Sequence, residues 1–509
     1  MDTIQQKIRS TAAEVFGIMA VKPQQNLVMH TILENSLAGR TGRGLLAVFP
    51  TGSGKSLCFL LPAVLLPGVS VIIYPLLGLM NDQSRRLGAM GIPHVVLCGG
   101  QSAQVRKKIF ARLEGSGVRI VLTNPETLAS PGVLGPLSRI GVSLAVIDEV
   151  HVVPGWGGSF RHSYRALGFV LPILRPSFTA AFTATATEET VRDLTWSVFG
   201  GRRPLVIRAD PDRTNILYRR ELTLSKTRTV TGILRSCPRP ALVFCRTRIG
   251  TEELFYSIRR ALPDIPVRFY HAGMDAGTRK RTEGWFLGRN DGVLICTCAF
   301  GMGMDKPDIR TVIHRDLPGG IEAFFQESGR AGRDGLQSVS YTLLDPDDIV
   351  RSRQNPQSGQ SGIVRVFAQN RSCYRAGLLS LMGFESGGCS GCDVCLGSTG
   401  SQVPREMKFI IRSVRRAPLQ LNQRRLCLGL TGIGTAADAL GPVYGVLDGW
   451  TRENVEEALG NLRRSGWIKV SFRGNLLARP FAKIQFGPAV APGGESVVSS
   501  VHGGSDGNG

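Results

Sequence analysis

Residues 48–56 read VFPTGSGKS. Val48 and Phe49 end an uncharged apolar run, LLAVF, of the kind a strand covered on both faces needs. Gly52, Ser53, Gly54, Lys55 and Ser56 then open the next element, which reads as a helix. Glycines let backbone N–H groups turn inward around phosphate; Lys55 is long enough to reach the β and γ oxygens, and Ser56 can hold Mg²⁺. Thr51 stands in the same loop. The eight-residue form of this loop asks for glycine where Phe49 stands, so the nucleotide reading rests on the strand–loop–helix context and the GSGKS core. A plain surface turn would also use Gly and Ser.

A strand feeding a helix through such a loop belongs to α/β folds, and the chain supplies the rest of one. VSVIIY, VRIVL, SLAVI and AAFTA are further apolar runs closed by polar or Gly-rich loops, which predicts one parallel sheet over residues 1–208. After RADPDRTN (208–215) the pattern restarts with ALVFC, VRFYH, VLICT and TVIH, predicting a second sheet over 209–348. From Ile349 to Ser372 there is no acidic residue, only Arg351, Arg353, Arg365 and Arg371 in a Gln- and Ser-rich connector, so a boundary is placed there. Met407, Ile410, Ile411 and Val414 recur at helical spacing, as do Val455, Leu459 and Leu462. WIKVSF, RGN and LLARP follow as a hairpin. Helices followed by a basic hairpin suggest a winged helix over 399–487, although any small α+β unit would share the pattern. Residues 488–509 are too poor in large apolar groups to order themselves and read as a disordered tail.

The second stretch that carries chemistry is AVIDEVHVVPGW, residues 145–156. Its apolar start reads as a fully buried strand, yet it runs straight into Asp148 and Glu149, with His151 and Trp156 beyond. Asp148 at the carboxyl end of such a strand is placed to hold the magnesium that Ser56 touches, and Glu149 to orient the attacking water and take its proton. Two segments that each end a parallel strand at one sheet edge match the place where α/β sheets bind ligands.

Charge and cysteines narrow the partner. The 509 residues carry 61 Lys+Arg against 39 Asp+Glu, a net charge of +22, which attracts a polyanion, nucleic acid first. The uncharged stretch 57–80 is long enough to span a bilayer, but Pro62, Pro67, Gly68 and Pro75 cut it into pieces better read as a helix turn, a loop and a strand, so no membrane partner is expected. The N-terminus lacks the order of a signal peptide, and a cytoplasmic monomer is expected, nucleoid-associated if the source is bacterial. Cys373, Cys389, Cys392 and Cys395 gather in a C-x15-C-x2-C-x2-C pattern; two short chelate loops plus one distant ligand can close a tetrahedral thiolate site. A [4Fe–4S] cluster wants a further cysteine just downstream, where Leu396 to Thr399 stand.

GSGKS, DEVH, FTATA (182–186) and QESGRAGRDG (326–335), in that order, resemble superfamily 2 helicases, whose two RecA-like domains clamp ATP between them. FGIMAVKPQQ (16–25), PLLGLMNDQ (75–83), YHAGM (270–274) and AFGMGMDKPDIRTVIHRDLP (299–318) make the RecQ family of DNA helicases the nearer resemblance, over most of residues 10–398. The resemblance implies ATP-dependent unwinding of duplex DNA, 3′ to 5′ in the family's pattern, in repair and recombination, with single-stranded and duplex DNA as partners and ATP, Mg²⁺ and Zn²⁺ as cofactors. It implies that Gln25 reads adenine and that His151, Thr183 and Thr185 couple the nucleotide to DNA. Arg330 and Arg333 resemble the paired arginines of the second domain, Arg333 as arginine finger and Arg330 on the phosphate. Trp156, Phe160, Arg161 and Tyr164 resemble the aromatic-rich loop that senses single strands, where stacking a base is worth about 1–3 kcal/mol and ignores sequence. Here the loop reads Trp-Gly-Gly-Ser-Phe-Arg in place of the family's Trp-Gly-His-Asp-Phe-Arg, which puts the strength of DNA–ATP coupling in question. The segment 349–398, CYRAGLLSLMGFE included, resembles the family's zinc-binding domain, so structural zinc is expected there. No HRDC-like domain is apparent after residue 490. Two other readings stay open: an RNA-directed DExH helicase, and a DNA-tethering protein with a weakened motor.

Overall fold

The computed structural model describes residues 3–39, 44–50, 53–115, 117–150, 159–184, 186, 188–298, 300, 306–369, 372–398, 403–416, 423–433, 440–470 and 476–478. Its first sheet contains β1 (Leu45–Val48), β2 (Val69–Ile73), β3 (His94–Val96), β4 (Ile120–Thr123), β5 (Val142–Ile147), β6 (Phe178–Thr183) and β7 (Leu205–Arg208). The order is β3-β4-β2-β5-β6-β1-β7, and every pairing is parallel. Parallel pairing requires crossover helices that cover both faces. β1, β2 and β4 are accordingly buried along their whole length, and their side chains divide between two apolar cores, one on each side of the sheet.

The uncharged segment 57–80 divides as a helix over Lys55–Leu65, the strand β2 and the start of a helix at Leu77. Pro62 lies inside the first of these helices instead of ending it. It sits in the last turn, its own carbonyl accepts from the Leu66 N–H, and the helix is buried among Leu57 to Ala63. Packing outweighs the one backbone bond that proline removes. No helix among the described residues is long and apolar enough to cross a membrane.

The second sheet contains β8 (Ile216–Leu222), β9 (Ala241–Phe244), β10 (Val267–Tyr270), β11 (Val293–Cys296), β12 (Thr311–His314) and β13 (Ser338–Leu344). Its order is β10-β11-β9-β12-β13-β8, again parallel throughout. The chain therefore folds as two parallel-sheet α/β domains of RecA-like architecture.

Residues 349–398 continue this second body without a gap in packing. Helices Pro346–Gln354, Gly359–Gln369 and Tyr374–Leu381 place Ile349, Ile363, Val364, Phe367, Tyr374 and Leu378 in one core with Tyr218 of β8 and Phe324. The Gln- and Ser-rich connector is thus largely helical, because its few apolar residues fall at helical spacing and find a sheet face to cover.

The C-terminal segment has helices Arg405–Arg416, Gln423–Leu430 and Arg452–Arg464, then β14 (Ile468–Val470) paired antiparallel with β15 (Leu476–Ala478). Met407, Ile410, Ile411, Val414, Val455, Leu459 and Leu462 are all buried in one cluster that also takes Leu224 from the second sheet domain. Polar contacts reinforce that seam: Asn461 Nδ2 donates to the Leu224 carbonyl at 2.7 Å, and the Glu457 carboxylate accepts from Ser225 Oγ at 2.7 Å and from the Lys226 amide at 3.2 Å. Residues 471–475 of the expected hairpin, and everything after 478 including the expected tail 488–509, lie outside the described residues.

Candidate active site and cysteine cluster

The carboxyl ends of β1 and β5 lie in one sheet, separated by β6. β6 supplies the carbonyls that fix both exits: Phe49 N–H donates to Thr183 O at 2.8 Å, and Val150 N–H to Phe182 O at 2.9 Å. The loop after β1 reaches its helix through Gly54, whose φ of +82° is left-handed. That φ favours glycine, and a Cβ added there would also come within 2.5 Å of Gln25 Nε2 and displace its amide.

Lys55, the first residue of that helix, is brought to Glu149: its Nζ donates to Glu149 Oε1 at 2.7 Å. Glu149 holds a backbone φ of +49°, a conformation costing on the order of 1–2 kcal/mol for a residue with a side chain. Non-glycine strain of this kind concentrates where side-chain placement matters for function. The Glu149 amide donates to Asp148 Oδ1 at 2.9 Å. Asp148 itself is buried, and burial followed by the adjacent Glu149 charge pushes its carboxyl up to about 7, against the opposing pull of Lys55 and the Glu149 N–H. A buried carboxylate so raised is one whose charged form wants a further cation. Ser56 Oγ accepts from Gln83 Nε2 at 3.0 Å, which brings the PLLGLMNDQ segment to the same edge.

Tyr74, directly after β2, is fully buried near Asp148, and burial and the Asp148 charge both raise its phenol well above the usual range. Its hydroxyl has no hydrogen-bond partner among the described residues. Tyr74→Phe is therefore expected to be neutral or to stabilise by about 1 kcal/mol, read from the thermal unfolding midpoint; a loss of more than that would show a partner for the hydroxyl.

Gln25 is also buried at this edge, with its amide engaged by the protein. Its Oε1 accepts from the Lys22 N–H at 3.0 Å, and its Nε2 donates to Ser53 O at 2.8 Å and to Gly54 O at 3.5 Å. Reading adenine would require these bonds to be exchanged.

The second domain brings Arg330 toward this edge. His314, at the end of β12, is wholly buried and holds the helix Ile321–Ser328 by Nδ1 to Glu327 Oε2 at 3.0 Å and Nε2 to Ser328 Oγ at 3.1 Å. The loop that follows carries Arg330 and Arg333. Arg330 is buried and lowered to about 10, first by desolvation and then by Arg333, with the Glu149 charge acting in the opposite direction. A narrow cleft between the domains is lined by Pro50 and Ala184 on one side and by Arg213, Tyr218, Phe325 and Gln326 on the other.

Of the residues expected at the site, the structure brings together Gln25, Ser53, Gly54, Lys55, Ser56, Asp148 and Glu149, with Arg330 within electrostatic reach. Thr183 is buried at the end of β6. Thr51, Gly52, His151, Trp156 and Thr185 lie outside the described residues, as do the side chains of Phe160, Arg161 and Tyr164 in the helix Ser159–Leu174. Sequence reasoning missed Tyr74, Gln83, Arg213, Asn215 and His314. The DRTN run at 212–215, just before a strand, was the visible signal for two of them.

The four expected cysteines meet. The sulfurs of Cys373, Cys389, Cys392 and Cys395 all lie within 4.8 Å of one another. Tetrahedral Zn–S bonds of about 2.3 Å imply S···S edges near ~3.8 Å, so the cluster could close on an ion with small adjustments. Cys373 caps the helix Tyr374–Leu381, its sulfur accepting from the Ala376 N–H at 3.4 Å. Cys392 is buried and pairs in a parallel bridge with Tyr218, tying the cluster to the open edge of the second sheet at β8.

The DEAD/DEAH box helicase family matches residues 22–194, and the helicase conserved C-terminal domain matches 225–335. The chain is 36% identical over 352 residues to the probable ATP-dependent DNA helicase RecS of Bacillus subtilis (strain 168), covering 68% of this chain and 69% of that protein. It is 30% identical over 395 residues to the ATP-dependent DNA helicase RecQ of Pasteurella multocida (strain Pm70), covering 75% of this chain and 61% of that protein. Among solved structures, the DUF1998 helicase MrfA bound to DNA superposes with a TM-score of 0.55 at 21% identity, over 70% of this chain and 50% of that one.

Proposed function

This chain belongs to the RecQ family of ATP-dependent DNA helicases, and on that premise we propose that it hydrolyses ATP between its two sheet domains and uses the cycle to unwind duplex DNA, travelling 3′ to 5′ along one strand in repair and recombination. The observation that carries the reading is the convergence of Lys55, Asp148 and Glu149 from two segments at one sheet edge, with Arg330 approaching from the other domain.

In this reading the backbone of Ser53 to Ser56 cradles the phosphates, and Lys55 exchanges Glu149 for the β and γ oxygens. Glu149 is then available to accept a proton from water as the water oxygen attacks the γ phosphorus, and the bond to the β–γ bridging oxygen breaks with its electron pair leaving on ADP. Arg330 and Arg333 neutralise charge on the transferring phosphoryl, with Arg333 as the finger. Ser56 and Asp148 would hold Mg²⁺, which supplies further neutralisation when bound. Cys373, Cys389, Cys392 and Cys395 would hold structural zinc in a domain over 349–398, and 399–487 would serve as a winged-helix unit gripping the duplex.

A strand-displacement assay with and without ATP tests the proposal, and offering DNA and RNA in turn separates a DNA motor from an RNA-directed one. Purified protein that releases no phosphate above background with polynucleotide and magnesium would end the motor reading. DNA affinity is expected to fall by about 10³-fold or more between 50 and 200 mM salt if six or more phosphates are contacted, as measured by fluorescence anisotropy; a flat response would contradict a phosphate-dominated grip.

A further inference from the structure

The loop that carries Arg330 and Arg333 is gripped from outside its own motif. Gly332, between them, has a φ of +54°, and its amide donates to Ile309 O at 2.8 Å. Its carbonyl accepts two bonds from the segment that enters the second domain: Arg213 Nη2 at 2.5 Å and Asn215 Nδ2 at 2.8 Å. Arg213 also reaches the Ala331 carbonyl at 3.4 Å, and Asn215 a second carbonyl, that of Leu336, at 2.8 Å. A Cβ on Gly332 would lie 2.5 Å from Asn215 Nδ2 and 2.6 Å from both Leu336 O and Ser338 Oγ, so no side chain fits at this position of the loop.

The grip is itself anchored. Arg375, fully buried two residues after Cys373, donates to the Asp212 carboxylate, to the Arg213 carbonyl at 3.2 Å and to the Ile216 carbonyl. Its guanidinium also stands 5.0 Å from the Tyr218 ring centroid. A continuous polar chain therefore runs from the cysteine cluster through Arg375 and residues 212–213 to the arginine loop.

We propose that Arg213 is a positioning residue for ATP hydrolysis: with Asn215 it fixes the Arg330–Arg333 loop so that its guanidinium groups meet the transferring phosphoryl, and Arg375 holds Arg213 in place from the cysteine-rich segment. Holding like-charged arginines at one small site is unfavourable unless the backbone bearing them is pinned; burial, and then the Arg333 charge, lower the Arg213 pKa. Arg213 lines the interdomain cleft but spends its hydrogen bonds on the loop carbonyls and on Asn215, so it acts through the other two.

The inference rests on the ATPase reading, and the experiment separates the two. DNA-stimulated hydrolysis is measured in full-length wild type, Arg213→Ala, Arg213→Lys and Asn215→Ser, with binding of ADP and of ADP–aluminium fluoride, a transition-state mimic. If wild type does not hydrolyse ATP, the functional reading fails. If it does, Arg213→Ala is expected to lose at least tenfold in kcat with KM for ATP within about threefold, and to bind the mimic at least tenfold more weakly while ADP binding stays within twofold. Arg213→Lys, which keeps the charge and a donor nitrogen but not the fork, should recover part of kcat, and Asn215→Ser should show a smaller loss of the same kind. Wild-type kcat in a folded Arg213→Ala, or equal losses of ADP and mimic binding, would overturn the proposal. If Arg213→Ala does not fold, Asn215→Ser and Arg213→Lys decide by the same two readouts.

Discussion

Replacing Lys55 by alanine is expected to lower DNA-stimulated phosphate release by at least ~10²-fold, the scale on which removal of one preorganised charge at a phosphoryl or oxyanion site acts. The ammonium lies 2.7 Å from the Glu149 carboxylate, on the first residue of a helix whose N-terminus faces the same loop. In the proposed mechanism alanine removes the ligand to the β and γ oxygens, and it leaves Glu149 beside Asp148 without its cation. Two neighbouring carboxylates without that cation favour protonation of one, so the base is weakened as well. DNA binding is expected to stay within about threefold, because Lys55 is nearly buried at the sheet edge and has no surface to offer a strand. Phosphate release and anisotropy on the same preparation check both halves. Turnover retained in the variant would show that another site does the work.

Cys389→Ser is expected to give protein that is insoluble or melts at least ~10 °C lower, with less than one zinc per chain. Structural thiolate sites contribute folding energy outright, because the site does not exist in the unfolded chain. The loss would spread here. Cys373, Cys389 and Cys392 pack with the same core as Tyr218, Phe324 and Phe367, and the Cys392 backbone extends the edge of the second sheet at Tyr218. Calorimetry and metal analysis on the purified variant test this; a stable, zinc-replete Cys389→Ser protein would contradict a structural role for the cluster.

Local pattern carried far in this chain because each recognised segment has a self-contained physical reason for its residues. GSGKS needs glycine and lysine after a buried strand whatever surrounds it, and four cysteines spaced for chelation have few other uses in a chain expected to be cytoplasmic. The short strands β3 and β7, by contrast, have too little apolar run to stand out, and they order only because β4 and β1 offer them an edge. The connector after Ile349 read as a boundary because it is polar and basic overall, yet Ile363, Val364 and Phe367 suffice to fold it against the second sheet.

By itself the sequence determined that two parallel sheets exist, that lysine and two acids lie at the carboxyl edge of the first, and which four cysteines can chelate. These follow from period, spacing and side-chain chemistry within single segments. Only the tertiary structure decided that Lys55 pairs with Glu149, that Tyr74 lies buried near Asp148, and that Arg213 and Arg375 connect the cysteine cluster to the arginine loop. Those are contacts between residues 94 to 162 positions apart or between neighbouring strands, and they depend on how the sheets and the segments between them are brought together, which no local pattern specifies.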